Sequence, residues 1–205
     1  MYIVLSMRKI PQRYENPFDN VFYSLAENAC PFFKDLNFTP NMITTIGNVF
    51  GLYSIYSLYH KRYVLAGMMF VARYFFDCLD GLYARKYNMV TDFGDKYDHY
   101  SDITITLTLL ATLYHVNRKI FTTRVLLLFT FIAYTTLLFI FYQEQYYNKS
   151  EEGGTLSGIK KIIPEFLIAK TKEEYETNMQ YIRWGGCGTF LLVIVGFVTW
   201  EGLPK

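Results

Sequence analysis

The feature that most constrains this chain is a series of long segments that lack charged side chains. Residues 41–59, 125–143 and 184–200 contain no Asp, Glu, Lys or Arg. Each segment approaches the roughly 20 residues that a helix needs to cross about 30 Å of hydrocarbon. Two further apolar stretches, 63–80 and 98–116, carry a few charges. The pattern predicts an all-α, polytopic membrane helix bundle of five or six transmembrane helices.

The spacing of these segments predicts one integral membrane domain over residues 1–205. A sixth span is expected only if the short apolar piece 159–169 enters the bilayer. An excess of lysine and arginine on the side of the N-terminus favours a cytosolic N-terminus and places the polar turn 85–94 on the cytosolic face. The five clear spans are expected at about 41–60, 63–84, 96–116, 120–143 and 184–202.

A different kind of helix is expected before the first span. Residues 16–38 are too mixed in character to cross a membrane, but their apolar residues recur every three or four positions, which suits a helix lying on the membrane surface. Pro31 and then Pro40 are expected to close this helix. The apolar positions are Phe18, Val21, Phe22, Leu25, Ala26 and Ala29.

The overall charge excludes some classes of partner. The formal net charge is +2 and there is no long basic run, so nucleic acid is not expected as a partner.

The three cysteines, Cys30, Cys78 and Cys187, lack the spacing of a metal site and are expected to be reduced.

Four aspartates are concentrated between residues 77 and 102. Asp77 and Asp80 are three residues apart near the end of the second span, and Asp98 and Asp102 are four apart near the start of the third. On helices these spacings place each pair on one face, and the hairpin brings the two faces together. Four carboxylates would repel one another unless cations neutralise them. All-oxygen ligands suit Mg²⁺ or Mn²⁺, so we predict a site for two such ions.

The residues around the aspartates suit a substrate that contains phosphate. Small residues after Asp80 allow a ligand to approach the backbone, and Arg85 offers a planar charged fork to phosphate oxygens. Polar residues on the connecting turn and at the start of the first span can contact a nucleotide. The candidate binding residues are Gly81, Ala84, Arg85, Thr91, Gly94, Asn41 and Thr44.

This segment resembles the CDP-alcohol phosphotransferase family, also called the CDP-alcohol phosphatidyltransferases. The family pattern is DxxDGxxAR, eight residues, then GxxxDxxxD. The PNxxT entry at residues 40–44 is also similar, and the resemblance covers roughly residues 16–127. All eight fixed positions are met, by Asp77, Asp80, Gly81, Ala84, Arg85, Gly94, Asp98 and Asp102.

The resemblance implies roles for the aspartates. Asp77, Asp80 and Asp98 would hold two metal ions, and Asp102 would ligate a metal and also accept the proton of the acceptor. The reaction implied is a step of phospholipid biosynthesis, in which an alcohol hydroxyl attacks the phosphorus of a CDP-alcohol and CMP leaves. The partners implied are the CDP-alcohol donor, the alcohol acceptor and membrane lipids, and a homodimer is compatible with the family.

Two donor classes remain open. The Asp98-His99-x-x-Asp102 variant and residues 143–156 resemble choline/ethanolamine phosphotransferases, which would favour CDP-choline or CDP-ethanolamine. The length of the chain is nearer to that of enzymes that use CDP-diacylglycerol with inositol, serine or glycerol phosphate.

Two functions of other classes also remain. A divalent-cation transporter could use the same aspartates, but ion coordination alone needs neither Arg85 nor the glycines. A structural membrane protein with a decayed catalytic segment would not need all four aspartates to be intact.

Four other residues carry open expectations. Arg73, inside the second span, is expected either to pair with an acidic lipid or substrate phosphate or to extend to the membrane surface. His99 lies beside Asp98 but off the face of Asp98 and Asp102, so it is not expected to be a ligand. Lys160 and Lys161 are expected to contact the membrane surface or the entrance for an acidic substrate.

Overall fold

The computed structural model describes residues 8–146 and 163–200. Within these ranges the chain forms α-helices, short 3₁₀ turns and connecting turns, and no β-strand. The prediction of an all-α fold is therefore confirmed. The helices are α1 (Pro17–Asp35), α2 (Pro40–Tyr59), α3 (Tyr63–Lys86), α4 (Asp92–Val116), α5 (Thr123–Tyr146), α6 (Lys172–Ile182) and α7 (Cys187–Trp200).

Helix α1 occupies the segment expected to form a surface helix. It buries one narrow face, including Ala26 and Cys30, against α2 and α3. Pro31 does not close it, contrary to expectation, because the helix continues through Pro31 to Asp35. A proline removes one N–H donor, and the next turn still forms, with the Leu36 N–H donating to the Phe32 carbonyl. The large apolar side chains that α1 exposes are Phe18, Val21, Leu25 and Phe32.

Helices α1, α2 and α3 all end in the same way. In each, the residue after the C-cap has a positive φ: 56° at Asn37, 59° at Lys61 and 54° at Asn88. The next residue donates its N–H back across the last turn, as from Arg62 to the Ser57 carbonyl at 2.8 Å and from Met89 to the Ala84 carbonyl at 2.8 Å. This is the Schellman arrangement, which satisfies the terminal carbonyls of a helix and reverses the chain.

Helix α2 packs closely on α3 through a face of small residues. A Cβ at Gly47 would lie 3.1 Å from the Cβ of Phe76, and the Ser54 hydroxyl donates to the Ala66 carbonyl at 2.7 Å. Small residues spaced three and four apart let two helix backbones approach, as helices in membranes commonly do. The close packing sets the separation between the polar side chains of α2 and those of α3.

The residues group into two compact units. Of the described residues, 8–20, 127–146 and 163–190 belong to one unit, and 21–126 and 191–200 belong to the other. In the first unit a buried cluster of Tyr14, Phe139, Tyr142 and Met179 forms the core. In the second, Ile43, Leu79, Leu82 and Tyr83 form the core between α1, α2 and α3. The four aspartates of the sequence pattern all belong to the second unit.

In the part of the chain that the structure describes, two helical segments are long and apolar enough to cross a membrane, Val125–Gln143 and Glu173–Trp200. They cover the fourth and fifth expected spans. Helices α2, α3 and α4 have 20, 24 and 25 residues and match the first three expected spans in length. Their polar and charged residues lower their mean hydropathy. Membrane crossing by these three helices therefore remains a prediction.

Two connections differ from expectation. The turn expected at residues 85–94 is shorter, because α3 continues to Lys86 and α4 begins at Asp92. Of the apolar piece 159–169, the described part begins at Ile163 and contains only a 3₁₀ turn, Glu165–Leu167. Lys160 and Lys161 lie outside the described residues, as does most of the segment 143–156.

Candidate active site

Three of the four aspartates of the sequence pattern form one group. Each of Asp77, Asp98 and Asp102 offers a carboxylate oxygen, and these oxygens all lie within 4.8 Å of one another. Asp77 comes from α3, while Asp98 and Asp102 are one turn apart on α4. The helical spacing thus places each carboxylate on the inner face, and α2, which packs on both α3 and α4, holds the two faces near each other.

Asp80 is held separately and more deeply. It is 3% exposed, and its Oδ2 accepts a hydrogen bond from the Thr44 hydroxyl at 2.5 Å. The same hydroxyl also lies 3.1 Å from the Pro40 carbonyl of its own helix. Thr44 therefore ties the first turns of α2 to the carboxylate of α3, rather than presenting its hydroxyl to open solvent.

The four carboxylates line a small cavity together with residues of α2. The volume of the cavity, about 10 Å³, is far too small for a nucleotide. The complete lining is Thr44, Gly47, Asn48, Arg73, Asp77, Asp80, Asp98 and Asp102.

Tyr97 joins α2 to α4 beside this cavity. Its hydroxyl lies 3.1 Å from the Thr45 hydroxyl and accepts a hydrogen bond from the Asn48 amide at 3.2 Å. Sequence reasoning missed Gly47, Asn48 and Tyr97. Gly47 and Asn48 lie one turn after Thr44, and Tyr97 precedes Asp98, so proximity to the pattern was the one available signal.

A single arginine enters the acidic group. The Arg73 guanidinium donates through Nη2 to Oδ1 of Asp102 and forms an ion pair with it. Neither expectation for Arg73, a phosphate partner or an extension to the membrane surface, describes this arrangement. The signal was in the sequence, because Arg73 lies four residues before Asp77 and therefore on the same helical face.

The residues present fit a divalent cation. The available donor atoms are carboxylate oxygens, which Mg²⁺ and Mn²⁺ prefer as ligands. Oδ1 of Asp77 is buried and has no hydrogen-bond partner, so burial is costly unless a cation or ordered water approaches it. With four carboxylates and one guanidinium in the lining, the formal charge is three negative units, which also favours cations.

Three of the residues expected to bind CDP meet where α2 and α4 begin. Thr91 caps α4 by accepting the N–H of Gly94 at 3.0 Å. A Cβ on Gly94 would lie 2.9 Å from Oδ1 of Asn41 and 3.0 Å from Oγ1 of Thr91, so only glycine fits there without displacement. None of the three lines the carboxylate cavity. They instead form a polar group at the starts of the two helices.

The remaining expected CDP-binding residues lie on the last turns of α3, and Arg85, which was expected on the following turn, is within this helix. A Cβ on Gly81 would lie 3.3 Å from Nη1 of Arg85, so the guanidinium folds back over this glycine. Ala84 is half-buried on the same turns. His99 is exposed and lies outside the carboxylate group, as expected from its position on α4.

Comparison with known proteins gives two relatives. An archaetidylinositol phosphate synthase of Pyrococcus horikoshii is 32% identical over 92 residues, which is 45% of this chain and 45% of the relative. A CDP-diacylglycerol–serine O-phosphatidyltransferase of Bacillus subtilis is 39% identical over 69 residues, which is 33% of this chain and 38% of the relative. Each match therefore spans less than half of the relative's length. No solved structure matches this chain significantly.

The family comparison covers much more of the chain. The profile of the CDP-alcohol phosphatidyltransferase family matches residues 37–200. This range includes the carboxylate cavity and the expected binding residues of α2, α3 and α4. The chain is therefore a member of the CDP-alcohol phosphatidyltransferase family.

Proposed function

We propose that this protein is an integral membrane enzyme of phospholipid biosynthesis. It transfers a substituted phosphoryl group from a CDP-alcohol to the hydroxyl of an alcohol acceptor and releases CMP. The observation that carries the proposal is the group of Asp77, Asp98 and Asp102, whose carboxylate oxygens lie within 4.8 Å of one another. All three residues lie in the region that matches the family profile.

Asp77, Asp80, Asp98 and Asp102 are the proposed ligands of two Mg²⁺ or Mn²⁺ ions. When bound, such ions neutralise the diphosphate of the donor and make the acceptor hydroxyl more acidic. The orphaned Oδ1 of Asp77 supports this role, since it is buried without a hydrogen-bond donor. The Thr44 hydroxyl fixes Asp80, so the orientation of that carboxylate is set before any ligand binds.

Asp102 is the proposed proton acceptor. The acceptor's oxygen forms a bond to the phosphorus that carries the alcohol of the donor, and the bond between that phosphorus and the CMP oxygen breaks. The hydroxyl proton passes to Asp102, and the electron pair of the broken bond leaves with CMP. Because Arg73 bonds to Oδ1, we assign Oδ2 of Asp102 as the atom that takes the proton.

The CDP moiety is proposed to lie beyond the carboxylates, since the cavity itself is too small for it. Arg85 would contact phosphate oxygens, and Gly81 and Ala84 would let the donor approach α3. Asn41, Thr91 and Gly94 would contribute from the starts of α2 and α4, and Thr44 would act through the Asp80 carboxylate that it holds. The close approach of Asn41 to Gly94 supports a shared binding surface there.

The relatives favour one of the two donor classes. The name of the Bacillus subtilis relative specifies CDP-diacylglycerol, and neither relative is named for choline or ethanolamine. We therefore propose a CDP-activated lipid as the donor and a small polar alcohol as the acceptor. Membrane lipids would surround a multi-pass bundle whose site opens at the cytosolic face, and a homodimer remains a prediction.

Release of CMP tests the proposal directly. Purified protein in detergent is supplied with CDP-diacylglycerol or CDP-choline and a panel of acceptors that includes serine, inositol phosphate, glycerol phosphate and diacylglycerol. We expect CMP only with Mg²⁺ or Mn²⁺ and only with CDP-diacylglycerol. Turnover in EDTA would contradict the metal role. Cation flux into sealed vesicles without CMP release would instead indicate a transporter.

Substitution of single aspartates assigns the roles. Asp77→Asn should abolish CMP release, because it removes a charge that the cations require. Asp95→Asn, an exposed aspartate on the same side of the turn, is the matched control and should keep normal activity. Asp102→Asn should lose transfer much more than donor binding, whereas Arg85→Ala should mainly weaken binding of a labelled CDP-alcohol. Normal turnover in Asp102→Asn would mean that another residue accepts the proton, and His99 would be the next residue to test.

A further inference from the structure

Arg73 is an unusual component of the site, because it is a permanent cation inside a group proposed to hold metal ions. Its side chain is 6% exposed and forms an ion pair with Asp102. A buried charge costs several kcal/mol unless it is paired, so the burial of Arg73 depends on the carboxylates around it. It also shares the cavity lining with Asp77, Asp80 and Asp98.

The neighbouring helix is shaped to admit this side chain. A Cβ on Gly51 of α2 would lie 3.0 Å from Cδ of Arg73 and 2.8 Å from two carbons of Ile105. Any larger residue at position 51 would therefore push against the stem of Arg73. Nε of Arg73 is buried and has no hydrogen-bond partner, so the carboxylate contact through Nη2 is what orients the guanidinium.

This arrangement favours neither of the two simpler roles for Arg73. A side chain that extends to the membrane surface keeps its charged head in water, and this head is buried. A partner for an external phosphate would direct its donors away from the protein, and here Nη2 is directed to Asp102.

We infer that Arg73 is a positioning residue that holds the carboxylate of Asp102 through Oδ1 and competes with divalent cations for the acidic site. The inference rests on the proposed function, since it assigns Asp102 to proton transfer. Arg73 leaves Oδ2 of Asp102 directed to the acceptor. It also repels the incoming cations, so the site binds them less tightly than four carboxylates alone would.

Removal of Arg73 should therefore change metal binding and turnover in opposite directions. Loss of a positive charge a few ångströms from the cations tightens metal binding, by at least about tenfold from Coulomb's law at a partly screened dielectric. Loss of the contact to Oδ1 frees Asp102 to rotate, which slows proton transfer. A defect that merely disturbed the fold would weaken metal binding and turnover together.

The test measures Mn²⁺ binding by the purified full chain in detergent, without donor, by electron paramagnetic resonance of free Mn²⁺. Arg73→Gln should bind Mn²⁺ at least about tenfold more tightly than wild type, while kcat at saturating Mn²⁺ falls about 100-fold and KM changes little. Arg62→Gln, an exposed arginine just before α3, is the matched charge control and should change neither quantity.

A folded Arg73→Gln protein with unchanged or weaker Mn²⁺ binding would overturn the inference. If that variant does not fold, Arg73→Lys decides, because it keeps the charge and loses the planar fork. It should bind Mn²⁺ within about threefold of wild type and lose about tenfold in kcat, and normal turnover would overturn the positioning role. Asp77→Asn tests the proposed function separately, since Mn²⁺ binding that survives it would refute the metal centre whatever Arg73 does.

Discussion

Glu15 provides a quantitative prediction outside the carboxylate site. This residue precedes α1, and its side chain is buried, at 1% exposure. Its Oε1 accepts hydrogen bonds from the Asn16 backbone N–H at 3.1 Å and from the Gln143 amide at 3.2 Å. Burial, reinforced by the nearby charge of Asp19, raises the pKa of Glu15 from 4.5 to about 7. The hydrogen bond from the Asn16 N–H, and then the charges of Arg8 and Lys9, oppose this increase in the pKa without cancelling it.

The sign of the effect follows from proton uptake. Between pH 4.5 and 7 the folded protein binds more protons at Glu15 than the unfolded chain does, so the free energy of unfolding decreases as the pH rises. The stabilisation is fully present below pH 4.5 and is lost above about pH 7. A shift of this size corresponds to about 3 kcal/mol, at roughly 1.4 kcal/mol for each pKa unit.

Glu15→Gln imitates the protonated side chain at every pH. At pH 8 the variant should be more stable than wild type by about 3 kcal/mol. For a chain of this size, that difference corresponds to a rise in Tm of about 6 °C or more. Near pH 5 the two proteins should unfold at nearly the same temperature. Thermal unfolding in detergent, followed by circular dichroism from pH 5 to 8, measures the difference.

The matched control is Glu173→Gln, which changes an exposed glutamate at the start of α6. It should leave the pH dependence of Tm as in wild type. A Glu15→Gln protein that is less stable than wild type at pH 8 would refute the reasoning. So would a difference in Tm that does not vary with pH.

Two further predictions concern packing and hydrogen bonding in the second unit. Thr44→Val removes the donor to Asp80 and should lower the free energy of unfolding by about 2 kcal/mol, whereas Thr44→Ser keeps the hydroxyl and should behave as wild type in chemical denaturation. Gly67→Ala should destabilise the protein by about 1–3 kcal/mol, because the new Cβ would lie 2.5 Å from Cγ2 of Thr199. Adding Thr199→Ser removes that methyl group and should restore most of the lost Tm; an unrestored Tm would mean that the contact is not the cause.

Local features of the sequence were enough to predict most of the helices and part of the site, but α6 was not expected. Apolar segments of helical length are a property of consecutive residues, so α2 to α5 and α7 lie close to the expected spans. The spacings of Asp77 with Asp80 and of Asp98 with Asp102 fix which residues share a helical face. The close approach of Asp77, Asp98 and Asp102 also needs α2, which packs on both α3 and α4.

Local features also misled in places where two competing effects are nearly balanced. Proline usually ends a helix, yet α1 continues past Pro31 because only one hydrogen bond is lost and the later turns still form. The turn after α3 is shorter than expected, because a positive φ at Asn88 reverses the chain within a few residues. Polarity alone could not distinguish a helix end from a loop in that segment.

The partners of individual polar groups were decided only by the tertiary structure. Thr44 bonds to Asp80 across 36 positions in sequence, and Arg73 pairs with Asp102 across 29. Periodicity specifies the face on which a side chain lies, but the distance between two faces depends on how closely the helices pack. Here Gly47 and Gly51 let α2 approach α3 and α4, and that approach determines which carboxylate each polar group meets.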